Sequence, residues 1–381
     1  MIHRLAVLAL AGFAAACGPA ETFSFHPSNF PASFNVSATD DFVFGSGGCG
    51  PRAELDTNTG EVRCFASGGG AFTVPFRAAV TKDIAQSDTT KLMVFAGKNV
   101  TIDIGTEVQL RGDRPAVILA LGDMTIAGRI TAQDAITQYA GQGGGFSEPA
   151  GAGPAQGLGP GGGNAVNAAG AAGGSYCGLG GKGGDDLGTP TTGAGAGTAY
   201  GTADLMPLRG GSSGGKQGNH AGAGGGAIHL AASGRVHITS DAVINMGGLG
   251  GGWFGNGGGS GGAVLIEGDT VTIEGNVAVN GGGGGGGSTA GGQDGANATG
   301  NLTAALGGAG GANGSTGGLG SAGDQINGTA AGPVSGQPGG GGGGAGRIRI
   351  NTSTGTPTIT GLLSPSGATP CTTAGKVAPK M

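Results

Sequence analysis

Seven consecutive glycines at positions 281–287 follow directly on VLIEGDTVTIEGNVAVN, a stretch in which apolar residues recur at every second position. A tract without side chains has nothing to bury, so it can be ordered only if neighbouring backbones approach closely and pair with it. The same juxtaposition recurs along the chain, which carries 96 glycines and 17 prolines in 381 residues. Such a composition ordinarily signals low complexity or disorder. Charged residues, however, make up only 11% of the chain and the net charge is −5, whereas disordered chains are held open by charge and polar side chains. No basic stripe is present to release counterions from a phosphate backbone, which excludes nucleic acid as a partner.

Self-comparison aligns four segments: PAVILALGDMTIAGRITAQDA from Pro115, GAIHLAASGRVHITSDAVINMGG from Gly226, GAVLIEGDTVTIEGNVAVNGG from Gly262 and GRIRINTSTGTPTITGLLSPSGA from Gly346. A weaker unit, KLMVFAGKNVTIDIGTEVQLRGD, precedes them from Lys91. Each reads as an alternating strand, a short polar turn, a second alternation and a third short apolar element. Period-two alternation places Val264, Ile266, Val271, Ile273, Val277 and Val279 on one face, and Leu265, Glu267, Thr272, Glu274 and Ala278 on the other. Ile228, Leu230, Val236, Ile238, Ile348 and Ile350 match the first face in other units. One unit cannot bury that face alone; stacking strand on strand in parallel makes a continuous apolar column. Each Val or Ile so buried contributes roughly 1.5–3 kcal/mol before entropy is subtracted. The expected fold is all-β, a short right-handed parallel β-helix (solenoid) with long glycine-rich excursions between units. The excursions span about 90 residues from Ala135 to Gly226, about 14 after Met246 and about 65 after Asn280. Two readings of them stand open: mobile loops, or polyglycine-II-like rods packed side by side as glycine permits in collagen.

The amino terminus, MIHRLAVLALAGFAAACGPAETFSF, has a basic Arg4 and an apolar run from Leu5 to Ala16, too short to span a bilayer. It reads as an export signal. The run ends at Cys17 and resembles a bacterial lipoprotein signal, in which the cysteine is lipidated; Ala14 stands where such signals usually carry leucine, while Phe13, Ala15 and Ala16 fit. Simple cleavage after an Ala-x-Ala site, giving a secreted protein, is the alternative. Acylation would tie the protein to a membrane, and in lipoproteins of enteric bacteria Gly18 after the cysteine implies the outer membrane. Cys49, Cys64, Cys177 and Cys371 remain, an even number in an exported chain, which favours disulfides. Cys49 and Cys64 flank a segment containing the turn-forming DTNTGE, so a hairpin brings them together, leaving Cys177 and Cys371 either to pair or to stay unpaired or metal-bound, although no C-x-x-C or nearby histidine spacing supports a metal. The organisation expected is an export signal at 1–17, an amino-terminal hairpin module and linker at 18–90, the glycine-rich β-helix at 91–364, and a tail at 365–381 that caps its exposed edge.

The succession SYCGLGGKGG, YGTADLMPLRGGSSGG, GGGAIHL and GGAVLIEGDTVTIEGNVAVNGGGGGGG resembles glycine-rich exported proteins of myxobacteria and their relatives, over about Leu92 to Ile350. The resemblance implies the fold and a cell-surface location; it implies no catalytic residue. Cys177 departs from the small residue expected at that place, which strengthens its pairing with Cys371.

Little in the sequence carries chemistry. GGKGGDD at 180–186 and GGSSGGKQG at 210–218 put a lysine after glycines, but neither has the spacing of a phosphate-binding loop between strand and helix. Asp185, Asp186, Asp204, Asp294 and Asp324 are scattered rather than repeated as calcium-binding repeats require. Glu267, Asp269 and Glu274, stacked beside Arg347 and Arg349, are the candidates for a carbohydrate-active site; the competing reading makes them outward charges that solubilise a sheet. His229 and His237 are read as surface residues on the same ground. No catalytic residue, metal or cofactor is expected. The function expected is that of a non-enzymatic, surface-anchored structural or adhesive envelope protein, with a membrane, polysaccharide or other cell-surface proteins as partners. A β-helix carbohydrate-binding or carbohydrate-active enzyme and a disordered envelope filler are the rivals.

Overall fold

The computed structural model describes residues 23–45, 49–65, 71–73, 80–133 and 141–379. Residues 1–17, read from sequence as an export signal, and Cys17 among them, lie outside the described residues. Everything described is strand, turn or extended chain, without a helix. The amino-terminal part contributes β1 (Phe25–His26), β2 (Phe42–Phe44), β3 (Arg52–Asp56), β4 (Val62–Phe65), β5 (Ala71–Thr73) and β6 (Val80–Ala85). The repeats follow: β7 (Lys91–Gly97), β8 (Val100–Ile102) and β9 (Glu107–Arg111), then β10 (Ala116–Ala120), β11 (Met124–Ile126) and β12 (Arg129–Thr131). In the next two the turn between the first strands has straightened, giving β13 (Ala227–Ile238) with β14 (Val243–Asn245), and β15 (Ala263–Ile273) with β16 (Asn276–Ala278). The last repeat holds β17 (Arg347–Thr352), β18 (Thr358–Ile359) and β19 (Leu362–Ser364), and the tail adds β20 (Thr372–Lys376) and β21 (Ala378–Pro379).

Pairing between repeats is parallel throughout, and its register lines up like with like. Phe95, Ile118, Leu230, Ile266 and Ile350 are successive partners in one ladder. Phe44, Ile102, Ile126, Ile238, Ile273 and Ile359 follow one another in a second. Ala53, Val108, Ile130, Ile244, Val277 and Leu363 do so in a third. A one-residue slip would turn a whole strand's apolar set away from the interior, so the alternation fixes this register. The inward residues of all three ladders form one buried cluster, except Ile359 of the short end strand β18, which is exposed. The weaker repeat from Lys91 supplies a full set of three strands, and the amino-terminal strands β2 and β3 extend the second and third ladders beyond it. At the other end β20 lies parallel on β17 and covers the edge of the first ladder, while β21 pairs antiparallel with β1.

From β7 to β15 the first ladder is buried on both faces. Its outward residues Leu92, Val94, Val117, Leu119, Ala231 and Leu265 lie under Phe30 and Val36 of the amino-terminal segment and under Leu205 and Leu208. Ser24 fastens that segment through hydrogen bonds with Ser233.

The glycine tracts leave after the third strand of one repeat and return at the first strand of the next, and their backbones pair with a threefold pattern. In the tract 281–287, Gly282 and Gly285 donate to Gly259 and Asn256, Gly283 and Gly286 to Ala296 and Gln293, and Gly284 and Gly287 to Gly318 and Ser315. The same residues accept with the same period, Gly282 and Gly285 from Gly343 and Gly340, Gly283 and Gly286 from Gly251 and Phe254, and Gly284 and Gly287 from Gly308 and Gly311. One extended segment is thus bonded to six others. The tract 257–262 repeats the pattern, donating in turn to Gly215, Gly341, Leu249, Ser212, Gly344 and Met246.

Candidate functional site

Glu267 is the carboxylate that the sequence singles out as a possible catalytic group on an outward face. Its position on β15 is outward with respect to the ladder, yet the side chain is 0% exposed, and so is that of His229 on β13. The reading of both as surface residues is therefore corrected: alternation tells which face a residue takes but not what lies on top of that face, and here residues 23–38 lie on it. Glu267 Oε2 accepts from the Ser28 backbone N–H at 2.7 Å and pairs with His229 Nε2 at 2.9 Å; Oε1 accepts from Ser28 Oγ at 2.7 Å and Asn351 Nδ2 at 2.8 Å. Burial alone would raise this carboxyl, but the hydrogen bond and charge of His229, with hydrogen bonds from Asn351 and Ser28, hold it down at about 2. With both oxygens taken and Phe30 beside the His229 ring, the group fastens the amino-terminal segment to the sheet. It has no lone pair left for a substrate.

The neighbours proposed from sequence do not converge on it. Glu274 pairs with His237 at 3.2 Å. Arg349 reaches Asn351 at 2.7 Å and the Ala374 carbonyl at 3.0 Å, and so touches Glu267 only through Asn351. Arg347 donates to the Pro370 carbonyl. The lysines of the two glycine motifs are engaged as well, Lys182 with Asp185 at 2.6 Å and Lys216 with Glu148 at 3.4 Å and the Pro149 carbonyl at 3.1 Å. Among the described residues, no group of three or more His, Cys, Asp or Glu is placed to hold a metal.

The cysteines are brought together as two pairs. Cys49 and Cys64 bracket the β3–β4 hairpin with Cα atoms 4.9 Å apart, and Cys177 and Cys371 join a glycine tract to the tail with Cα atoms 5.7 Å apart.

Sequence reasoning misses one groove among the described residues. A groove of about 810 Å³ runs between the edge of the first ladder and the glycine tracts, walled by Lys91, Arg114, Phe146, Leu158, Pro160 and Arg209. Lys91 Nζ and Arg114 Nη1 both contact one oxygen of Asp83, at 3.0 and 3.3 Å. Arg209 grips Asp88 Oδ2 through Nε and Nη2 at 3.0 and 2.5 Å. Burial works to raise the Asp88 carboxyl, but hydrogen bonds from Thr90 and Arg209 bring it below its ordinary value. The lining residues come from five separate stretches of chain, none with a local motif, so no sequence signal announces them. No helix among the described residues is long and apolar enough to cross a membrane. In comparison with known proteins, the chain matches no family model, no curated protein and no solved structure.

Proposed function

We propose that the chain is a non-enzymatic, surface-anchored structural or adhesive envelope protein: a short right-handed parallel β-helix carrying a polyglycine-II-like sheaf, exported and held at the outer membrane by a lipid on Cys17. The observation that carries the reading is the tract 281–287, hydrogen-bonded to six neighbouring segments with a period of three residues. Three residues per turn is the repeat of an extended polyproline-II-type helix. A body built this way has reach and rigidity at small cost in side chains. The aligned parallel ladders support the solenoid. The saturation of Glu267 by four donors favours this reading over a carbohydrate-active enzyme. The resemblance of the sequence to glycine-rich exported proteins agrees with the location.

Shaving intact cells with proteinase K tests the reading. The protein is expected to be accessible to antibody on intact cells while yielding no cleavage within 141–345, and Cys17→Ser is expected to release it into the medium. Retention in the cytoplasm, or digestion throughout the glycine tracts, would overturn it.

A further inference from the structure

We propose that the groove between the first ladder and the glycine tracts binds a neutral saccharide, a short run of uncharged hexopyranose rings. Charge sets the class of ligand. Lys91, Arg114 and Arg209 at the groove are matched by Asp83, Asp88 and Asp113, three cations against three carboxylates, so the site carries no net charge. An anion or cation would bring a charge that finds no unpaired partner there. A hydroxyl donates and accepts at once, and so takes hydrogen bonds from both members of an ion pair without upsetting their balance. Donors remain for it, since Lys91 and Arg114 contact a single oxygen of Asp83 between them, and Arg209 spends only Nε and Nη2 on Asp88. Acceptors and a hydroxyl remain as well. Asp113 at the rim accepts from Asn58 through Oδ2, which leaves Oδ1, and Ser147 Oγ accepts from the Gly141 backbone N–H at 3.1 Å, which leaves its proton to donate.

The other half of the recognition is apolar. A pyranose ring has a C–H face as well as a hydroxyl rim, and Phe146, half-buried, supplies a flat wall for that face, with Leu158 and Pro160 beside it. The wall is rigid. The Phe146 backbone donates to Gly211 O at 3.0 Å and accepts from Gly224 N at 2.9 Å, so the residue is built into the sheaf. Gly159 lies flush against the ring at φ +93°, where a Cβ would come within 2.7 Å of Phe146 Cδ2. Such preorganisation lowers the ordering cost of binding. An acyl chain would fit the wall but strip water from the ion pairs without replacing its hydrogen bonds, whereas a neutral sugar satisfies wall and rim together. The proposal deepens the adhesive reading by naming the class of its ligand, and rests on that reading only for the saccharide being met outside the cell.

Titration calorimetry of the purified, disulfide-intact protein with cellotetraose, β-1,4-mannotetraose and maltotetraose tests the proposal, with tetragalacturonate as the charged counterpart. At least one neutral tetrasaccharide is expected to bind with Kd on the order of 0.1–1 mM, with less than about a twofold change between about 0.05 and 0.5 M sodium chloride. The charged counterpart is expected to bind no more tightly. Phe146→Ala is expected to weaken binding about tenfold. Leu158→Asp, on a side chain 45% exposed, puts a carboxylate into the apolar wall without touching the core and is expected to weaken it by a similar factor, about tenfold. Absence of binding by all three neutral probes at about tenfold above that range would overturn the proposal. So would tighter binding of the charged counterpart, or unaltered affinity in both Phe146→Ala and Leu158→Asp. Any of these failures leaves the adhesive reading standing, since cell shaving and release by Cys17→Ser report location and order of the glycine tracts rather than ligand.

Discussion

At Gly284 one methyl group separates a paired backbone from a broken one. A Cβ there would overlap the Gly340 carbonyl oxygen, and each of its neighbours in 281–287 meets the carbonyl of another segment in the same way. Gly332 is also glycine in a glycine-rich tract, but it is exposed and a Cβ there meets nothing within 4 Å. Gly284→Ala is expected to destabilise the protein by about 1–3 kcal/mol through overpacking, and Gly332→Ala to be neutral or stabilising by a few tenths, about 0.4 kcal/mol; chemical denaturation of the two variants checks both. Composition reads these two glycines alike, because a residue without a side chain leaves no pattern from which its neighbours can be inferred. Glu267 carries a second test. Its carboxyl titrates at about 2 in the folded protein against an ordinary 4.5. A depressed folded value contributes stability that is present above pH 4.5 and lost as pH falls through 4.5 towards 2. The stability of Glu267→Gln is therefore expected to change less over that window than that of the unaltered protein, and to be lower by about 1–3 kcal/mol at neutral pH because an amide cannot accept from four donors. Urea denaturation across pH 2.5 to 5, about the window the linkage sets, measures the difference.

At the scale of elements, the alternating strands were legible because each must send one face inward. Val264, Ile266, Val271 and Ile273 are inward in β15, and the register with β13 and β17 follows from them. The burial of Leu265 and Glu267 was not legible, since the segment that covers them, residues 23–38, comes from more than two hundred residues away and has no alternation of its own. The groove failed for the same reason: its walls share no local stretch. The tail behaves as an edge element, with β20 pairing along β17 and Cys371 bonded to Cys177 across a separation of 194 residues. Replacing both cysteines with serine is expected to cost about 3–5 kcal/mol, as closing a long loop in the unfolded chain predicts. Removing 365–381 from Cys177→Ser is expected to lower stability further and to produce concentration-dependent association, because the β17 edge is then open. Sedimentation of the truncated protein beside the full-length double-serine variant checks this; a monomer of equal stability would show that β20 has no capping role.

For the whole molecule, the strands and the glycine tracts share hydrogen bonds where they meet. Gly262 donates to Met246, Gly346 to Val279 and Arg347 to Gly262, so tract and ladder are continuous rather than core and appendage. The central claim is that both are one ordered body. Hydrogen exchange by mass spectrometry on the oxidised protein tests it most directly, comparing 141–225 and 281–345 with the strands. The account expects protection in the tracts comparable with that of β13 and β15, lost together with theirs as denaturant is raised. Tracts that exchange at the rate of an unprotected chain while the strands stay protected would contradict it.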